Sequence, residues 1–152
     1  MKKHNILLLA LSFLFGSFVY INSAIADEAE QAISYRQNVM KLLATNSKMI
    51  KATLTKKINH QQHLPILATH LVDAAAMLKG NFPDGSDFGE TDAKEEIWEN
   101  KADFDAKIED LEHVTKELLS ALKQKQSNII LMDKYKSLTQ SCKSCHKKYR
   151  EK

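Results

Sequence analysis

Residues 131–149 read LMDKYKSLTQSCKSCHKKY, and this stretch determines the expected fold. Its core-facing positions are Leu131, Tyr135, Leu138, Cys142, Cys145 and Tyr149. Because these residues recur every three or four positions, they lie along one face of an α-helix, with charged and polar residues between them. The stretch therefore predicts an amphipathic helix that buries one face against other helices.

Three further stretches repeat this pattern, namely residues 33–54, 64–78 and 104–122. No stretch has the alternating apolar and polar residues that are typical of a β-strand. Four helices with one apolar face each predict an all-α protein, an antiparallel four-helix bundle. Glycine and proline are concentrated in residues 80–100, which predicts a long loop between helices 2 and 3. The side chain of Asn100 is expected to cap the start of helix 3.

The beginning of the chain has the order of a secretory signal peptide. Lys2 and Lys3 form a positive start, residues 6–21 are almost entirely apolar, and a small-x-small site ends at Ala26. We expect cleavage of residues 1–26, which leaves residues 27–152 as one exported, periplasmic domain. The alternative is an uncleaved membrane anchor, but the apolar run is shorter than the ~20 residues of a spanning helix.

The charge of the expected mature domain excludes one class of partner. Removing Lys2 and Lys3 lowers the formal net charge from +3 to +1. Nucleic acid binding needs a strongly basic surface, so we expect no nucleic acid partner. After cleavage we also expect no membrane span.

The strongest functional signal is Cys142-Lys143-Ser144-Cys145-His146. On a helix, these cysteines and the histidine share a face. Two thiols at that spacing can form thioether bonds to one haem, and the histidine after the second cysteine can bind its iron. We therefore expect one covalent haem c per chain, attached to Cys142 and Cys145, with His146 as the proximal axial ligand.

Other uses of the two cysteines remain alternatives. A thioredoxin-like redox pair needs a βαβ setting, which the sequence does not predict. A structural disulfide suits an exported protein but leaves His146 without a role. A zinc site needs two further ligands at a suitable spacing. A haem-free bundle with a redox dithiol is a further alternative.

Helix 1 supplies candidates for the other side of the haem. Arg36 lies on the apolar face, where an unpaired charge is costly, so we expect it to bind a haem propionate. The alternative is that its guanidinium extends into solvent. Met40, one turn later, is the expected distal iron ligand, and ordinary core packing is its alternative. The other candidate ligands, expected at surface or boundary positions, are His60, His63, His70 and His113.

The chain resembles a known family, the four-helix cytochromes c′ and the related low-spin cytochromes c-556. The matching segments are residues 35–40 (YRQNVM), 82–86 (FPDGS), 89–91 (GET), 97–100 (IWEN), Phe104 and residues 142–150 (CKSCHKKYR). The resemblance implies a periplasmic protein with a single haem, and dimers in many members. It implies that Arg36 contacts a propionate and that Arg150 is the basic residue beside the proximal histidine.

The family divides at the position of Met40. In the c-556 branch a methionine there binds the iron and gives a low-spin electron carrier. In the c′ branch the position usually holds a bulky non-ligand, and in some members a methionine that does not bind the iron, which leaves the iron five-coordinate and able to bind gases such as nitric oxide. Met40 therefore does not decide between the branches. Our main hypothesis is the electron carrier, which catalyses no reaction, exchanges electrons with an unidentified redox partner and is a possible homodimer. The alternative is the gas-binding cytochrome c′.

Overall fold

The computed structural model describes the backbone of residues 3–151 and the side-chain environments of residues 27–151. It contains five α-helices and one 3-10 turn. They are α1 (Lys3–Leu54), the 3-10 turn (Gln61–His63), α2 (Leu64–Ala76), α3 (Glu96–Glu99), α4 (Lys101–Lys123) and α5 (Asn128–Tyr149). Within residues 3–151 there is no β-strand, only an isolated antiparallel bridge between Ala93 and Arg150. The predicted all-α class is confirmed.

The predicted signal peptide lies outside the residues whose side chains are described, and it stays a prediction. Among the described residues, no helix is both long enough and apolar enough to cross a membrane.

The four long helices form the predicted bundle. α1 packs on α2, α2 on α4, and α4 on α5, whereas α1 and α5 contact each other much less. Each long helix contributes a fully buried aliphatic side chain to the core: Ile50, Leu71, Leu118 and Leu138. Burying such a side chain contributes about 1.5–3 kcal/mol relative to leaving it exposed. The apolar faces therefore hold the bundle together, and the α1–α5 side is its least tightly packed side.

The segment between α2 and α4 differs in detail from the predicted loop. It contains α3, a single helical turn that ends one residue before Asn100. Asn100 occupies the N-cap position of α4, but its side chain does not cap that helix. Its Nδ2 instead donates to the Glu96 carbonyl at 3.3 Å. The capping prediction was wrong because the end of α3 places the Glu96 carbonyl, which also accepts the Asn100 backbone N–H at 3.0 Å, within reach of this amide.

Candidate functional site

Cys142, Cys145 and His146 lie in the last two turns of α5. The helix ends at Tyr149 because the next residue, Arg150, has an extended backbone with φ −123° and ψ 136°. Both cysteines are half-buried against the core, and both thiols are free. His146 is exposed beside them. The helix thus brings the two thiols and the imidazole to neighbouring positions, as the spacing predicts.

The geometry disfavours the other uses of the cysteines. The free thiols form no disulfide, and α5 belongs to no βαβ unit. No group of three or more His, Cys, Asp or Glu residues in the described part of the chain is arranged to hold a metal ion. Burial raises the pKa of the Cys142 thiol. Burial, and next the neighbouring Cys142, raises the pKa of Cys145 to about 11. A redox dithiol needs a lowered thiol pKa, so this pair is poorly suited to that chemistry.

His146 is in a state that suits a metal ligand. Although its side chain is exposed, the surrounding protein partly desolvates it and lowers its pKa, and the positive charge of Arg150 lowers the pKa further. The lowered pKa favours the neutral imidazole, whose lone pair can bind a metal.

The register between α1 and α5 places the helix 1 candidates opposite the cysteine motif. At one end of this antiparallel pair, the Asn128 Nδ2 donates to the Leu54 carbonyl at 3.3 Å. Seven residues further along each helix, the Ser47 and Tyr135 hydroxyls are 3.1 Å apart. Another seven residues, or two turns, bring Met40 level with Cys142.

One more turn brings Arg36 level with His146. Met40 and Arg36 are therefore level with the motif along the bundle, on the pair of neighbouring helices, α1 and α5, that contact each other least. Met40 is half-buried at the edge of the core.

Arg36 is buried, with 3% of its surface exposed. Its Nη1 donates to Ser86 Oγ at 2.7 Å, and its Nη2 donates to the Ser86 carbonyl at 2.6 Å and to Thr91 Oγ1 at 2.8 Å. The guanidinium also lies over the rings of Phe82 and Trp98, at 5.0 and 5.8 Å from their centroids. The alternative of a solvent-exposed guanidinium is wrong, because loop acceptors and aromatic faces surround it.

Three of the five N–H groups of Arg36 are thus used by the loop between α2 and α3, and two remain for another acceptor. The roles of Ser86 and Thr91 were missed in the sequence analysis. Both lie at least 50 residues from Arg36 in the chain, and no local pattern indicates such a pairing.

A second network fixes the end of α5. The Tyr149 hydroxyl donates to Asp103 Oδ2 at 2.6 Å, and Lys148 Nζ donates to the same oxygen at 2.9 Å. These two hydrogen bonds lower the pKa of Asp103. Arg150, predicted to lie beside the proximal histidine, is one turn after His146 and donates its backbone N–H to the His146 carbonyl. Its Nη2 pairs with Asp92 Oδ2 at 2.8 Å.

The other histidines lie away from the cysteine motif. The rings of His60 and His63 stack on each other between α1 and α2, with centroids 5.0 Å apart. His70 Nδ1 is 3.3 Å from the Asn46 side-chain oxygen. His113 is exposed, with Nε2 3.8 Å from Glu117.

The family model described as Cytochrome C' matches residues 31–150, most of the chain. The chain belongs to the cytochrome c′ family. Among solved structures, the cytochrome c prime from Shewanella frigidimarina is 29% identical, with a TM-score of 0.77 over 82% of this chain and 97% of that chain. A search among curated proteins finds no match.

Two other cytochrome c′ structures are informative. The nitric oxide complex of a variant of cytochrome c prime from Alcaligenes xylosoxidans is 25% identical, with a TM-score of 0.75 over 82% of this chain and 96% of that chain. Another solved structure is of a cytochrome c′ with an unusual ligand-controlled dimer dissociation. It is 22% identical, with a TM-score of 0.75 over 82% of this chain and 97% of that chain. Proteins of this fold therefore include a dimeric form.

These comparisons correct our main functional hypothesis. A low-spin electron carrier with His/Met-ligated iron is not supported, because the family match is to cytochrome c′ and a similar member is known as a nitric oxide complex. The comparisons identify no redox partner. The hypothesis failed at Met40, because the residue type of a methionine does not show whether its sulfur binds the iron.

Membership of the cytochrome c′ family implies a haem cofactor, and the residues present fit a c-type haem. The thiols of Cys142 and Cys145 are free and three residues apart. His146 follows directly, and its lowered pKa favours the neutral imidazole that binds a metal. The side of the bundle that they border is the least packed one.

Proposed function

We propose that this chain is an exported cytochrome c′ that carries one covalently attached haem c and binds small gases such as nitric oxide. One observation carries the proposal: the α1–α5 register sets Met40 and Arg36 opposite Cys142, Cys145 and His146 across a loosely packed side of the bundle. The match to the cytochrome c′ family supports the same assignment.

Each residue has a distinct role in this proposal. Cys142 and Cys145 form the thioether bonds, and His146 is the single protein ligand of the iron. Arg36 binds a propionate through the N–H groups that the loop does not use. When bound, the haem supplies the iron that takes up the gas. Burial lowers the pKa of the proximal imidazole, and the positive charge of Arg150 adds to this effect, so both favour its neutral form.

Met40 forms an apolar wall on the distal side without binding the iron. Val39 and Leu43, which flank it on α1, are buried aliphatic residues. The polarity, hydrogen-bond donors and steric access of a distal pocket decide which diatomic gases a haem binds. An apolar wall offers no donor to stabilise bound oxygen, which favours nitric oxide.

The state of the iron tests this proposal. We expect a high-spin ferric spectrum in the wild-type holoprotein and no change of coordination in Met40→Ala. Nitric oxide should associate faster with this variant because the side chain that restricts access is gone. Met77→Ala is the control, since Met77 is an exposed methionine at the end of α2, outside both the site and the outer face of α1. A low-spin spectrum that becomes high-spin only in Met40→Ala would contradict the proposal.

We further propose a periplasmic homodimer built on the outer face of α1. Tyr35, Leu42 and Met49 are 52%, 42% and 43% exposed and recur every seven residues. Residues at this spacing form one stripe, of the kind that pairs two helices in a coiled coil. The stripe would pair with itself about a two-fold axis.

A further inference from the structure

The contacts at the end of α5 have a feature that haem attachment itself does not require. Tyr149 is 2% exposed, and its hydroxyl reaches across to α4 to bond Asp103 at 2.6 Å. Its ring packs edge-on against Phe104, with the centroids 5.1 Å apart. Its carbonyl accepts the Lys94 N–H at 3.1 Å. Three separate contacts therefore hold the residue one turn after His146.

Without these contacts, this turn would be the least stable part of the helix. The last residues of an α-helix lack partners for their carbonyl groups and tend to fray. Here His146 lies only three residues before the helix end at Tyr149. Fraying would let the His146 backbone, and the imidazole with it, take several orientations.

We propose that Asp103 and Tyr149 are positioning residues for His146, which fix the last turn of α5 and thereby the orientation of the imidazole toward the iron. The inference rests on the proposed function, in which His146 is the proximal ligand. Groups that orient metal ligands without touching the metal commonly change metal affinity or activity by ~10-fold or more.

The chain offers a closely matched pair of variants to test this. Tyr149→Phe removes one hydroxyl and keeps the ring against Phe104, so the bundle still folds. Tyr135→Phe, the control, removes a buried hydroxyl of the same helix that pairs with Ser47 at 3.1 Å. Tyr135 lies three turns before His146, so its hydroxyl has no direct influence on the last turn.

Two measurements on the holoprotein are compared. In Tyr149→Phe we expect backbone amides of residues 146–151 to exchange hydrogen about tenfold faster, as the loss of a hydrogen bond to a charged group predicts for local opening. We also expect the ferrous iron–histidine stretching band to broaden and move to lower frequency. Tyr135→Phe should leave both unchanged.

Substitutions at Asp103 separate positioning from general stability. Asp103→Ala should change both measurements at least as much as Tyr149→Phe, because it also removes the Lys148 ion pair, and the double variant should be little worse than Asp103→Ala, because Tyr149 and Asp103 share one interaction. Asp103→Asn keeps an oxygen acceptor for the Tyr149 hydroxyl, so its exchange rates and its iron–histidine band should be closer to those of the wild type. The inference is overturned if the iron–histidine band of Tyr149→Phe is the same as in the wild type, or if the band shifts equally in Tyr135→Phe.

The result also distinguishes this inference from the proposed function. If the wild-type ferrous iron is six-coordinate, the stretching band is missing in every variant and the proposed function fails. Hydrogen exchange does not depend on the coordination number, so the comparison of Tyr149→Phe with Tyr135→Phe then decides the inference.

Discussion

At the residue scale, Arg36 connects α1 to the loop that follows α2. It lies in α1 one turn before Met40, yet its hydrogen bonds go to Ser86 and Thr91 in the loop after α2. A buried charge is tolerated only when its hydrogen bonds are satisfied. Arg36 therefore fixes the loop to α1 even before any contact with a propionate is considered.

This arrangement predicts a large loss of stability in Arg36→Leu. The substitution removes three hydrogen bonds and leaves Ser86 and Thr91 without their donor, which should cost about 3 kcal/mol or more of the free energy of unfolding. Gln37→Ala is the control, because Gln37 donates to the same loop, at the Glu90 carbonyl, but from an exposed position. It should cost less than about 1 kcal/mol.

Urea denaturation of the three holoproteins measures both values. Similar losses in Arg36→Leu and Gln37→Ala would mean that the buried guanidinium does not hold the loop.

The site could be predicted from the sequence only where its residues are neighbours on one helix. The motif at residues 142–146 and the position of Arg36 on a buried face follow from spacing alone. The partners Ser86, Asp92 and Asp103 do not, because each is brought to its partner by the tertiary fold. The branch of the family also could not be decided, because Met40 has the same side chain whether or not it binds iron.

At the element scale, the four long helices were predictable because each has an apolar face sustained over several turns. α3 was not, since its four residues, Glu96–Glu99, are too few to show a period. The register of α1 against α5 was equally inaccessible. It is visible only in long-range contacts, the Asn128–Leu54 hydrogen bond and the Ser47–Tyr135 hydroxyl pair, which no local pattern predicts.

At the scale of the whole molecule, the outer face of α1 leaves an apolar stripe uncovered in the single chain. Burying Tyr35, Leu42 and Met49 between two copies would remove all three from water, which favours association. A two-fold axis would also place each copy of Leu42 close to its counterpart. A charged residue introduced at position 42 would therefore lie near the same charge in the other copy, and the two would repel each other.

We expect Leu42→Glu to shift the protein from dimer to monomer, with the dimer dissociation constant raised on the order of a hundredfold by like-charge repulsion. Sedimentation equilibrium over a range of concentrations measures this constant. Ile129→Glu is the control, because Ile129 is 83% exposed at the start of α5, away from the stripe. A monomeric wild type, or dissociation in both variants, would contradict a dimer on this face.

The central claim is that the thiols of Cys142 and Cys145 hold a single haem. Its most direct test is the intact mass of the exported protein from a host that attaches haem to cytochromes c. We predict the mass of residues 27–152 plus one haem, located by fragmentation to residues 142–146 and lost when both cysteines are replaced by serine. A mature polypeptide with both cysteines intact and no added haem would contradict the claim.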